Sequence, residues 1–74
     1  MADKTIDCSG LRCPMPIVKT TKGIKEIETG QTLKVIATDP GFEKDIQAWA
    51  NKTGNKLISL TKENENFIAL IEKI

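Results

Sequence analysis

Cys13 stands in the run GLRCPMP (residues 10–16), with Arg12 before it and Pro14 and Pro16 after it on either side of Met15. The chain contains no histidine, so a general base of the usual kind is missing. A thiol reacts as its thiolate, and a preformed thiolate exchanges sulfur with other thiols without such a base. Free cysteine titrates near 8.5, and lowering that by roughly one to two units turns a few per cent of thiolate at neutral pH into a large fraction. The local pattern supplies a means. If Cys13 is the N-cap of a helix, Pro14 is its first helical residue and Pro16 its third, where neither proline removes an internal hydrogen bond. Free N–H groups and the positive end of the helix dipole then face the sulfur, and Arg12 adds a cation. Gly10 suits a backbone conformation of positive φ or a close approach to the thiol loop. Asp7 is suited to cap that loop or to pair with Arg12.

A plainer reading competes with this one. Cysteine is among the most buried residue types, and Cys-Pro at a helix start serves packing and capping. An adjacent arginine, a preceding glycine and two prolines are more than a packed cysteine requires, and they favour an exposed, electropositive thiol. Cys8 is a second thiol, and the C-x4-C spacing is not the C-x-x-C of thioredoxin-like motifs. Three chemistries follow: a persulfide-carrying transferase, a dithiol redox module using Cys8 and Cys13, and a cysteine-ligated metal site. The metal reading is the weakest, because two thiolates without histidine fall short of four ligands unless a dimer supplies the rest. Cys8 should face the sheet or its rim and form no stable bond with Cys13.

The elements that must hold this stretch are marked by periodicity and punctuation. KTID (4–7) reads as a first strand. From Pro14 to about Glu28, Ile17, Ile24 and Ile27 recur at helical spacing, and Gly30 is placed to cap that helix. TLKVIAT (32–38) alternates as a strand, expected beside the first and parallel to it through a right-handed crossover. Asp39 and Pro40 then read as N-cap and first residue of a second helix, with a stripe of Phe42, Ile46, Trp49, Ala50 and Thr53 ended by Gly54. KLISLTKE and NFIALIEK flank Asn64 and Glu65 as an antiparallel hairpin. The order βαβαββ predicts an α/β two-layer sandwich, a mixed four-stranded sheet with both helices on one face. Trp49 belongs to the core. Lys19, Lys22 and Lys25 read as a solvated face that can also dock an acidic partner.

Seventy-four residues form a single domain (1–74), because a chain this short buries only about 60% of its unfolded surface. Eleven basic against ten acidic residues leave a formal charge of +1, too little to hold a phosphate backbone, so direct nucleic-acid binding is not expected. The opening residues MADKTIDCSG have no signal-peptide h-region, and no apolar run approaches the roughly 18 residues of a membrane span. A cytoplasmic monomer with reduced cysteines is the expectation.

DCSGLRCPMPIVK, with the later TDPG before the second helix, resembles the TusA/SirA-like (TusA/YedF) family of sulfur carriers, whose signature is Asp-x-x-Gly-Leu-x-Cys-Pro-x-Pro. The likeness extends over essentially the whole chain, in length and in element order. It implies the βαβαββ two-layer fold and a sulfane sulfur carried as a persulfide on Cys13, with no organic cofactor or metal. It also implies a donor protein, either a cysteine desulfurase or a rhodanese-like protein, and an acceptor protein in tRNA thiolation, molybdenum cofactor supply or dissimilatory sulfur metabolism. Cys8 departs from the small residue often found at its position in the family, and the dithiol redox reading stays open on its account.

Overall fold

A computed structural model describes residues 3–12 and 14–74. Six elements follow one another: β1 (Lys4–Cys8), α1 (Met15–Lys25), β2 (Thr32–Ala37), α2 (Phe42–Thr53), β3 (Lys56–Glu63) and β4 (Asn66–Glu72). The four strands make one mixed sheet in the order β1-β2-β4-β3. β1 runs parallel to β2, from Lys4 opposite Leu33 to Cys8 opposite Ala37. β4 pairs antiparallel with both β2 and β3.

The alternation expected of β2 and β4 decides which face is covered. Leu33, Val35 and Ala37, with Ala69 and Ile71, are fully buried, and Phe67 nearly so. These side chains point to one side of the sheet, as a period of two requires. Ile24 from α1 and Phe42, Ile46, Trp49 and Ala50 from α2 close the core over that side. The result is the two-layer sandwich anticipated, with both helices on one face. Within α1, Gly23 lets the helix sit against β1: a Cβ there would collide with Ile6 Cδ1.

Three boundaries differ from the expectation. α1 ends at Lys25 rather than near Glu28, and Gly30 is not its cap. Glu28 instead belongs to a separate turn in which the Gln31 N–H donates to the Glu28 carbonyl at 2.9 Å and the Gln31 side chain accepts from the Glu28 N–H at 2.8 Å. Gly30, at φ +91°, donates its N–H to the Lys73 carbonyl at 2.7 Å and so ties that turn to the end of β4. α2 is capped by Gly41 and begins at Phe42, which moves Asp39 and Pro40 out of the helix. Asp39 opens the turn before it, its carbonyl accepting from the Phe42 N–H at 3.0 Å. α1, likewise, has Pro14 as N-cap, Met15 as first residue and Pro16 as second, one position later than the sequence pattern places them.

Candidate functional site

The residues from Ser9 to Pro14 connect the C-terminal end of β1 to the start of α1. Three successive amides hold the first half of this loop. The Ser9 N–H donates to Asp7 Oδ1 at 2.9 Å, the Gly10 N–H to Thr38 Oγ1 at 2.8 Å, and the Leu11 N–H to the Cys8 carbonyl at 3.1 Å. Gly10 adopts φ +79°, the left-handed conformation that glycine takes without the penalty of a Cβ. Asp7 therefore caps the loop through Ser9 and is not engaged with Arg12. Its carboxyl lies below the usual carboxylate range because it accepts from the Ser9 side chain and from the Ser9 amide.

Arg12 is exposed and lines a cleft of about 500 Å³ together with Gly10, Leu11, Thr38, Asp39 and Pro40. The loops after the two parallel strands thus lie side by side, as parallel neighbours ending in register must. Asp39 lines the same cleft as the arginine. Cys13, the principal site residue expected, lies outside the described residues; it is joined in the chain to Arg12 on one side and Pro14 on the other.

The start of α1 alters one part of the expected electrostatics. Pro14 and Pro16 have no N–H, and the Met15 N–H donates to the Arg12 carbonyl at 2.8 Å. These three positions accordingly have no free amide to offer an anion. The aligned helix dipole and the Arg12 guanidinium remain as sources of positive potential. Pro16 is fully buried, and its carbonyl accepts from Thr20 Oγ1 at 2.7 Å, so this proline also anchors the helix start to the core.

Cys8 is a free thiol with none of its surface exposed, on the covered face of the sheet. Burial pushes its pKa up, with Asp7 acting in the same direction and Lys19 against it. Further round the first turns of α1, Met15 and Val18 are 44% and 51% exposed. Beside them Pro14, Ile17, Asp45, Ala48, Trp49 and Lys52 line a shallow groove between the helices.

One residue of the loop's support is absent from the reading of the sequence. Thr38 holds Gly10 from the neighbouring strand, and no pattern in the sequence marks it, because it becomes the residue after the last parallel pair, Cys8 opposite Ala37, only once the two strands are in register.

Known proteins resemble this chain in sequence and in fold. Residues 4–73 match the family described as Sulfurtransferase TusA. A protein of Allochromatium vinosum named sulfur carrier protein TusA is 46% identical over 71 residues, which are 96% of this chain and 93% of that protein. A longer protein of Aquifex aeolicus is 52% identical over 71 residues, and there the match spans only 36% of that protein. Among solved structures, a SirA-like protein of Desulfitobacterium hafniense superposes with a TM-score of 0.82 at 25% identity, covering 93% of this chain and 95% of the other.

Proposed function

We propose that this chain, which belongs to the sulfurtransferase TusA family, is a sulfur carrier that takes sulfane sulfur on Cys13. The observation that carries the reading is the 46% identity to a sulfur carrier protein over nearly the full length of both chains. A loop fixed by three amide hydrogen bonds and bordered by Arg12 supports it.

In the proposed reaction the Cys13 thiolate attacks the terminal sulfur of a donor persulfide. The new S–S bond forms as the donor's S–S bond breaks, the donor departs as its thiolate, and Cys13 holds the persulfide. An acceptor thiolate then attacks the outer sulfur, and Cys13 leaves as the thiolate again. No electron leaves or enters overall, and the persulfide proton moves with the outer sulfur or exchanges with water. Arg12 and the dipole of α1 stabilise the sulfur anion before and after each transfer. The donor is a cysteine desulfurase or a rhodanese-like protein. The acceptor belongs to tRNA thiolation, molybdenum cofactor supply or dissimilatory sulfur metabolism, and the chain acts as a cytoplasmic monomer.

Cys8 favours this reading over the dithiol redox module. A resolving thiol must reach the sulfur it attacks and must ionise, whereas Cys8 is buried and held protonated.

Incubation with a cysteine desulfurase and cysteine should add one sulfur atom, removable by reductant, and Cys13→Ser should abolish the addition. Mass spectrometry reads both. A wild-type protein unmodified by every donor class, or a Cys13→Ser protein still loaded, overturns the assignment.

A further inference from the structure

We propose that Thr38 is a positioning residue for the reacting thiol: its hydroxyl oxygen, at the end of β2, holds the Gly10 amide and fixes the path of the loop that delivers Cys13. The inference rests on Cys13 as the reacting cysteine.

Of the amide bonds from Ser9, Gly10 and Leu11, two are local. Asp7 and Cys8 belong to β1 itself, so the bonds to Ser9 and Leu11 shape the loop but move with it. The bond from Gly10 to Thr38 is different, because it joins residues 28 apart in sequence, on different strands. β1 is an edge strand whose only neighbour is β2, and the register between them ends at Cys8 opposite Ala37. Thr38 is the next residue of β2's chain, and it continues the attachment beyond the backbone ladder with a side-chain acceptor. Gly10 makes this possible: at φ +79° it turns its N–H out of the β direction, and no heavy atom lies within 4 Å of where its Cβ would be. The local bonds fasten the loop to β1 alone, and the bond from Gly10 fastens it to β2 as well.

The position of Thr38 supports the same role. It is half-buried and lines both the cleft that contains Arg12 and the adjoining one of about 330 Å³ bounded by Pro40, Lys62, Glu65 and Phe67. A change at Thr38 thus acts on the lining of the cleft that contains Arg12.

The test compares Thr38→Val, which keeps the shape and loses the acceptor, with Thr38→Ser, which keeps the oxygen. The readout is iodoacetamide alkylation of the Cys13 peptide as a function of pH. Losing one such acceptor should slow alkylation at neutral pH roughly three- to tenfold and raise the midpoint of the pH profile. Thr38→Ser should follow the wild-type profile. A Thr38→Val profile that superimposes on wild type, or a Thr38→Ser profile as displaced as that of Thr38→Val, overturns the proposal. In the wild-type protein the Gly10 amide should exchange with solvent more slowly than an open loop amide, and free exchange there overturns it without any variant. Alkylation does not depend on sulfur loading, so failure of the carrier reading leaves the outcome of this test distinct.

Discussion

The indole N–H of Trp49 donates to Thr21 Oγ1 at 3.0 Å, joining α2 to α1 across the top of the core. The Thr21 hydroxyl itself donates to the Ile17 carbonyl at 2.9 Å, so its oxygen is free to accept from the indole. Trp49 is 7% exposed, and its bond to Thr21 is partly buried, so the N–H depends largely on this acceptor. Thr21→Val should therefore cost about 1–3 kcal/mol by leaving a buried donor unpaired, whereas Thr21→Ser should cost under about 1 kcal/mol. Denaturant unfolding followed through the fluorescence of this single tryptophan measures both. Equal midpoints for the two variants would show that the bond contributes nothing.

Cys8 should be dispensable for sulfur loading and significant for stability. Cys8→Ala removes a buried sulfur and leaves a small cavity, at a cost of about 1 kcal/mol. Cys8→Ser places a hydroxyl among apolar side chains, at about 1–3 kcal/mol. Both variants should accept sulfur from a donor as wild type does, read by mass. Loss of loading in the folded Cys8→Ala protein would restore the dithiol alternative.

The same thiol sets an alkaline dependence. Its folded pKa is raised above that of an ordinary thiol, chiefly by burial, so between the two values the native state keeps the proton that the unfolded chain has lost. The resulting contribution is fully present below about pH 9 and is lost as pH rises toward the folded value. Wild type should lose stability relative to Cys8→Ala in that window, as measured by thermal unfolding. Parallel curves for the two proteins would remove the effect.

Asp7 works in the opposite direction. Its folded pKa is lowered from 3.8 by the bonds from Ser9, so its contribution is present above that pH and is lost as pH falls through the folded value. Asp7→Asn should be less stable than wild type near neutrality and converge with it in acid. Chemical denaturation at a series of pH values checks this, and a gap that persists at the lowest pH would contradict it.

The two prolines should separate. Pro16 is fully buried, and Pro16→Ala gives up about two methylenes of packing, at about 1–2 kcal/mol. Pro14 is exposed at the N-cap, and Pro14→Ala should cost under about 1 kcal/mol through greater freedom of the unfolded chain. Pro14→Ala should nonetheless slow alkylation of Cys13, because the residue bonded to the thiol's own carbonyl is no longer locked at φ. Unchanged alkylation kinetics would confine that proline to a role in stability.

The parts of this fold readable in sequence are those governed by burial. Leu33, Val35 and Ala37 had to share a face, and Phe42, Ile46, Trp49 and Ala50 had to form a stripe, because apolar side chains declare their period. Helix ends were read less well. Asp39-Pro40 has the composition of a cap and first turn, yet Gly41 is the cap, and composition alone does not decide between two adjacent frames of one turn. Gly30 was similarly assigned to the nearest helix, when its N–H in fact belongs to Lys73, 43 residues away by their numbers. In the site, Gly10 and Asp7 were legible because their roles are local. Thr38 was not, since its importance exists only once β1 and β2 are paired.

The strand order carries a consequence for how the chain folds. β4 follows the other three strands in the chain, yet it occupies the interior of the sheet between β2 and β3. Without it, β2 and β3 lack the one strand that hydrogen-bonds to both. The apolar row of Leu33, Val35 and Ala37 then lacks Ile71, Ala69 and Phe67 opposite it. Closure of the sheet thus requires Asn66–Glu72, and the non-local pairing of β4 with β2 is the step expected to limit folding.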